Sequence, residues 1–365
     1  MSSFARDYIF RASDLSRRSR TYTFDDVLLV PMKSAVASRF HTELTTAFTR
    51  RLNMKLPFIA ANMDTVSEST MCIAMNQLGA AAILHRFMTI EAQVAEVKRI
   101  RDQKNSDDWI VAASVGVNQD SKDRARAVVD AGANSITVDI AHGHSDAMVE
   151  MVKYLKAEFK SVDVIAGNVA TGSATLDLIR AGADAIKVGI GPGSMCTTRI
   201  ITGVGVPQLT AIALAAEIAR PEGVPVIADG GLKASGDMVK ALAVGASSIM
   251  AGSLFAGAIE TPGELVKGRK AYRGMASRAA QTSWRGGELP EGMAPEGESH
   301  FVSCKGPVAE IVHELAGGIR SGLSYLNARN LADLVENAYF VELSPNALRE
   351  NVAHGLLQSD SVRNP

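Results

Sequence analysis

Ala181-Gly182-Ala183-Asp184-Ala185-Ile186-Lys187-Val188-Gly189-Ile190-Gly191-Pro192-Gly193-Ser194-Met195-Cys196-Thr197-Thr198-Arg199 joins a helix end, a strand and a loop. The preceding segment, Ser173–Arg180, carries apolar residues at a 3.6-residue period and reads as a helix. Ala181-Gly182-Ala183 ends it, because glycine takes the left-handed C-cap conformation at little cost. Ala185–Ile190 reads as a buried parallel strand. Gly189, Gly191 and Gly193 then let backbone N–H and C=O groups approach a ligand closely. Cys196 follows, flanked by hydroxyls and Arg199. A thiol attacks as thiolate, a form favoured by exposed N–H groups and nearby cations. The alternative is a structural cysteine after a tight turn. The glycine spacing and the Thr197-Thr198-Arg199 tail favour the nucleophile.

The helix-end joint recurs as Leu78-Gly79-Ala80, Ala131-Gly132-Ala133 and Val244-Gly245-Ala246. Strand-like runs lie at Leu56–Asn62, Ala80–His85, Ile110–Val117, Ser135–Ile140, Asp163–Val169, Ala185–Ile190, Val224–Ala228 and Ser247–Ala251. Helical periodicity fills the gaps, as in Glu68–Leu78, Ile90–Arg101, Lys122–Asp130, Ala147–Phe159, Gln208–Arg220 and Gly236–Val244. Eight such units predict an α/β fold, a single (β/α)8 TIM barrel. A doubly wound open sheet is the competing arrangement. Eight strands with no break in the rhythm favour closure.

Barrel enzymes gather their chemistry at the C-terminal ends of the strands. Asn62 and Asp64 follow the first run, Asp139 and His142 the fourth, Asn168 and Thr171 the fifth, Cys196 the sixth and Asp229 the seventh; Gly252-Ser253 closes the eighth. After Thr261-Pro262-Gly263 the composition changes. Lys270 to Lys305 is rich in Gly, Glu, Pro and Ser, with Trp284 among them, and reads as a long structureless flap, a candidate lid. A surface insertion is the alternative. Helical patterning returns over 307–340 and closes the barrel, interrupted at Gly317-Gly318-Ile319-Arg320-Ser321. The expected organisation is an N-terminal arm 1–20, a catalytic barrel 21–355 with a mobile flap 270–305, and a C-terminal tail 356–365.

Composition narrows the function. A net charge of −1 without a long basic run gives no expectation of nucleic acid. The stretch Met1–Arg20 has no apolar core for a signal peptide, and no 18-residue apolar run predicts a membrane span. Cys72, Cys196 and Cys304 lie far apart and form neither a disulfide framework nor a zinc spacing. A reducing cytoplasm fits.

The loop Lys187–Arg199 resembles the active-site loop of the IMP dehydrogenase/GMP reductase family. The resemblance extends to Phe24-Asp25-Asp26-Val27-Leu28-Leu29-Val30-Pro31, Asn62-Met63-Asp64-Thr65-Val66, Gly167-Asn168-Val169-Ala170-Thr171, Ala228-Asp229-Gly230-Gly231 and Tyr272-Arg273-Gly274-Met275. It implies that Cys196 attacks C2 of a purine monophosphate, IMP or GMP, with Thr198 helping to move a proton. A loop-stabilising threonine is the plain alternative. It further implies phosphate donors at Ser194, Gly231, Gly252, Ser253 and Tyr272, with Gly274 and Met275 beside the substrate. Asp229 would accept the ribose hydroxyls, against a helix-capping role. Met63 would pack on the base, against a core role. Glu296 would read purine N1–H, with Glu291 as its rival. Asp139 and Asn168 fall on the side of an NAD or NADP cofactor. Carbonyls of Gly191, Gly193 and Cys196 match a loop that holds a monovalent cation, K+. The family also implies a homotetramer.

Two absences matter. His85-Arg86-Phe87-Met88 runs straight into the helix at Ile90, leaving no space for the regulatory CBS modules common in the family's dehydrogenases. No Gly-x-Gly-x-x-Gly fingerprint follows the first strand, so a nicotinamide must bind on the barrel face. The branch is mixed. Ala276-Ser277-Arg278 puts a cation where reductases carry a carboxylate, whereas Trp284-Arg285 keeps the arginine of the dehydrogenases' Arg-Tyr pair. With Arg285 as a candidate water activator, oxidation of IMP to XMP is favoured over reductive deamination of GMP. A catalytically weak nucleotide-binding paralogue and a flavin-dependent barrel enzyme are the competing classes.

Overall fold

The computed structural model describes residues 9–104, 107–287, 289 and 291–351. Eight parallel strands close into a barrel: β1 (Phe58–Ala60), β2 (Ala81–Leu84), β3 (Ala112–Val115), β4 (Ser135–Asp139), β5 (Asp163–Val169), β6 (Ala185–Val188), β7 (Val226–Asp229) and β8 (Ser248–Ala251). Closure is made by β8 on β1, with Ile249 opposite Phe58 and Ala251 opposite Ala60. The open sheet is thereby excluded. Every residue of β1, β2, β3, β6 and β8 is buried, so these runs lack polar alternation. Ile59, Ala81, Ile83, Ala112, Ile165, Ala185, Ile227 and Met250 form an inner cluster, and the alternate residues pack outward in the larger one.

Helices follow the strands: α1 (Ser69–Gln77), α2 (Ile90–Arg101), α3 (Ser121–Asp130), α4 (Asp146–Glu158), α5 (Gly172–Ala181), α6 (Gln208–Ala219), α7 (Ser235–Ala243) and α8 (Val308–Tyr325). The joint glycines Gly79, Gly132, Gly182 and Gly245 have φ of 76°, 110°, 105° and 108°, the left-handed geometry expected of them. Thr89, Ser145 and Thr171 cap α2, α4 and α5 by accepting from Ala92, Met148 and Ala174 N–H. Residues 85–89 alone connect β2 to α2, with no inserted module. Among the described residues no helix is long and apolar enough to cross a membrane.

Several features depart from the sequence reading. Apart from β5, whose bounds match its run, the strands are shorter than their apolar runs, because in a closed barrel the ladder ends before side-chain burial does. Thr46–Ala47 and Asn53–Met54 pair as a small hairpin that sends Phe48 and Met54 into the inner cluster. Arg50 N–H donates to Asp184 O, just before β6, so this hairpin plugs the N-terminal end of the barrel. The flap is not structureless: Arg269–Arg273 pairs antiparallel with Ser299–Ser303, and Arg278–Arg285 is a helix. Gly317 and Gly318 do not interrupt α8, which runs unbroken through them. A Cβ on Gly318 would lie 2.1 Å from Ser235 Oγ and one on Gly322 2.8 Å from a Val239 methyl. These glycines let α8 lie tight against α7, a packing reason that outweighs their low helix propensity.

Outside the barrel, Ile9–Arg11 pairs with Tyr339–Glu342, which pairs on its other side with Val27–Leu29. Tyr22 donates its phenol to Glu342 Oε1 at 2.5 Å and accepts from Arg18 Nε at 2.7 Å. The first eight residues of the expected arm and the expected tail 356–365 lie outside the described residues.

Candidate active site

A cavity of ≈ 650 Å³ opens at the C-terminal mouth of the barrel, lined by strand ends, the β6 loop and the flap hairpin. Met63, Asp139, Asn168, Gly191, Gly193, Ser194, Cys196, Thr198, Asp229, Gly231, Gly252, Ser253, Tyr272, Gly274, Met275 and Glu296 all line it. Of the rim and site positions expected from sequence, Asp64, His142, Thr171 and Arg285 are not in this lining. Arg285 ends the flap helix, and its side chain lies outside the described residues. Thr171 caps α5 and His142 is exposed, so neither belongs to the lining.

The nucleophile loop owes its shape to close backbone packing. A Cβ on Gly189 would fall 2.1 Å from Asp229 O, so only glycine fits where β6 leaves the barrel beside β7. Arg199 arches back, donating to Ile190 O at 3.2 Å and Val206 O at 2.6 Å. Cys196 N–H donates to Gly193 O at 3.0 Å. The thiol is partly exposed to the cavity. Cys196 Sγ lies 3.1 Å from Thr198 Oγ1, and the Thr198 hydroxyl donates to Glu296 Oε2 at 2.7 Å. Glu296 reaches across 98 residues because the flap is stitched to this loop: Thr197 N–H donates to Glu296 O, and Glu298 N–H to Met195 O. Glu291 is exposed and outside the lining.

A second group lies in the same cavity. Ser194 Oγ and Tyr272 Oη are 3.3 Å apart, near Gly252. A Cβ on Gly252 would lie 2.7 Å from both Tyr272 Oη and Met63 Sδ. Burial pushes the Tyr272 phenol up, so it stays a neutral donor. Hydroxyls with glycine N–H groups suit a phosphate, which accepts only.

The third group joins Asp139, Asn168 and Asp229, expected from sequence, through a residue that sequence reasoning missed. Lys187, in the middle of β6, is 2% exposed and reaches Asp139 Oδ1 at 2.8 Å and Asp229 Oδ2 at 2.9 Å. It also donates to Asn168 Oδ1. Burial works against its charge, but the two carboxylates outweigh it and raise the ammonium above its usual pKa. Burial likewise opposes the Asp139 charge, yet Lys187 and Arg86 hold that carboxyl below its usual value. Asn168 spends both amide hydrogens on Gly189 O and Asp229 Oδ2, leaving one Oδ1 lone pair for a ligand. The available signal was a charged residue inside the apolar run Ile186-Lys187-Val188. Arg86 and Phe87 also line the cavity without having been anticipated.

The flap is fastened in two places. Arg273 Nε donates to Asp64 Oδ2 at 3.0 Å, tying the hairpin to the loop after β1. Trp284 meets Phe87 edge-on with centroids 6.0 Å apart. Among the described residues, no group of three or more His, Cys, Asp or Glu could hold a metal ion.

Comparisons with known proteins agree with this geometry. The sequence matches the family described as IMP dehydrogenase / GMP reductase domain over residues 21–354. It is 41% identical to an inosine-5'-monophosphate dehydrogenase of Cryptosporidium parvum, covering 91% of this chain and 94% of that one. A GMP reductase of Leishmania donovani is 33% identical, over 92% and 96% of the two chains. The crystal structure of a Cys-to-Ala variant of Trypanosoma brucei GMP reductase in complex with guanosine 5'-monophosphate superposes with a TM-score of 0.88. That protein is 32% identical, covering 93% of this chain and 99% of its own.

Proposed function

The chain belongs to the IMP dehydrogenase/GMP reductase family of oxidoreductases, which uses NAD(P), and from that premise we propose that it oxidises IMP to XMP with NAD. The observation that carries the reading is the Cys196–Thr198–Glu296 chain of hydrogen bonds. A carboxylate only accepts, so Thr198 donates to Glu296 and turns its own lone pairs toward the thiol. A proton released beside the sulfur is therefore drawn toward a base.

In the proposed reaction, Ser194, Tyr272, Ser253 and the N–H groups of Gly231 and Gly252 hold the phosphate. Asp229 accepts the ribose hydroxyls, and Met63 packs on the base with Gly274 and Met275 beside it. The Cys196 thiol adds across C2=N3, sulfur to C2 and its proton to N3, so that Glu296 stays ionised for the later water step. When bound, the nicotinamide supplies the acceptor for the hydride leaving C2. Water then attacks C2, one of its protons passes through Thr198 to Glu296, and the C2–S bond breaks as the second proton goes to sulfur, leaving C2=O and the free thiol. The cavity fits the pair of ligands: its size falls within the range of about 300–1,000 Å³ usual for such sites, and Asp139, Phe87 and Asn168 line it along with Ser194. Arg285 remains a candidate for helping the water step. Carbonyls of Gly191, Gly193 and Cys196 supply hard oxygen ligands, and a K+ there would stiffen the nucleophile loop.

Reduction of GMP with NADPH is the second reading. The same Thr198–Glu296 pair, starting protonated, would give its proton to departing ammonia. Arg278, where a carboxylate was looked for, is exposed and outside the cavity lining, so its charge does not weigh against either direction. Assembly as a homotetramer is also proposed, supported by exposed Ile200, Ile201 and Val204 beside the nucleophile loop.

The test is a paired absorbance assay at the nicotinamide band. A rise with IMP, NAD and potassium supports the dehydrogenase. A fall with GMP and NADPH, and no rise in the first cuvette, assigns the reductase. Silence in both, with tight nucleotide binding, assigns a binding protein.

A further inference from the structure

Lys187 has no part in the chemistry proposed above, yet it is among the largest fully buried side chains of the molecule. It lines the deepest part of the cavity at only 2% exposure, whereas Asp139 and Asp229, which line it too, are each 21% exposed. Three strands deliver its partners: Asp139 ends β4, Asn168 lies on β5 and Asp229 ends β7. The neighbouring backbone is shaped to admit it. A Cβ on Gly167 would lie 2.5 Å from Lys187 Cβ and 2.7 Å from its carbonyl oxygen. Asn168 closes the circuit by donating to Asp229 Oδ2 at 2.8 Å while accepting from Lys187. On the Asp229 side, Gln208 Nε2 bridges Val188 O and Asp229 O, fixing the end of β7 against β6.

We infer that Lys187 is a positioning residue that couples the two halves of the cavity: one ammonium holds the carboxylate that meets the nucleotide ribose and the carboxylate that meets the cofactor. This rests on the assignments of Asp229 and Asp139 made under the proposed function. A shared counter-ion makes the two sites interdependent. When one carboxylate loses its charge, the ammonium pairs more strongly with the other and competes with the ligand that carboxylate would bind. The coupling is reciprocal in binding, so it is readable without turnover.

The experiment measures IMP affinity by calorimetry, with no cofactor present, for the full chain and for Asp139→Asn, Asp229→Asn, Lys187→Met and the Lys187→Met/Asp139→Asn pair. Asp139→Asn keeps the volume and lies on the cofactor side. It is expected to change IMP affinity by roughly fivefold or more, and that change is expected to vanish when Lys187 is already Met. A side chain that merely supports the fold would lower the yield of folded protein and leave this cross-effect at nothing. IMP affinity within about twofold of the parent for Asp139→Asn, alongside clear weakening by Asp229→Asn, overturns the coupling and leaves the ribose assignment standing. Unchanged affinity in Asp229→Asn overturns the ribose assignment and the coupling with it. Should Lys187→Met fail to fold, Asp139→Asn decides the matter alone.

Discussion

Cys196, Thr198 and Glu296 form a chain whose members should fail in different ways. Cys196→Ala is expected to abolish turnover while IMP still binds, since the phosphate and ribose groups are untouched; single-turnover absorbance and calorimetry together check it. Glu296→Gln keeps a hydrogen-bonding partner for Thr198 but removes the base. It is expected to lower kcat by about 10²–10⁴-fold and to let covalent nucleotide accumulate on Cys196, visible by mass spectrometry of the intact protein. Loss of kcat without that accumulation places Glu296 in an earlier step. Cys196 and Thr198 were legible in the sequence because they are two residues apart in one loop. Glu296 was legible only through a resemblance, and its contact with Thr198 arises because the flap folds back over the loop. Lys187 was printed in plain view, but nothing local says that a lysine in a buried strand will find two carboxylates from other strands.

At the scale of elements, α8 and the flap hold the main corrections. Gly317 and Gly318 read as a break, yet their environments differ sharply. A Cβ on Gly317 meets nothing within 4 Å, whereas one on Gly318 strikes Ser235. Gly317→Ala is therefore expected to stabilise the protein by about 0.5–1 kcal/mol. Gly318→Val should destabilise it by about 1–3 kcal/mol. Urea denaturation of the two variants checks both signs, and equal effects would mean that α8 does not pack on α7 at this point. The flap hairpin is clamped by Arg273 on Asp64. Arg273→Ala should free it, raising protease susceptibility of residues 274–298 and lowering kcat, because Glu296 rides on this segment. Period-based reading finds elements whose burial repeats; a two-stranded hairpin clamped on a loop has no such period, so the flap was read as structureless.

At the scale of the whole molecule, the buried Lys187 cluster ties stability to pH. Asp139 has a lowered pKa in the folded state, so its contribution is present above the usual aspartate value and is lost as pH falls through the folded value. Lys187 is raised, so its contribution is present below the usual lysine value and is lost only as strongly alkaline pH passes through the folded value. Lys187→Met leaves two half-buried carboxylates without their shared cation. The loss should be about 3–5 kcal/mol at neutral pH and should shrink in acid, where protonated aspartates need no partner. Denaturant titrations at neutral and acid pH check the trend; a pH-independent loss would mean that only packing was removed. The sequence alone determined the barrel, its strand order and the rim on which chemistry sits. Those follow from burial period and glycine joints, which are local and repeat along the chain. Tertiary structure decided the inward hairpin plug, the docking of the flap and the lysine shared by two aspartates. Each is a contact between residues far apart in the chain, and closure of the barrel is what brings them within hydrogen-bond reach.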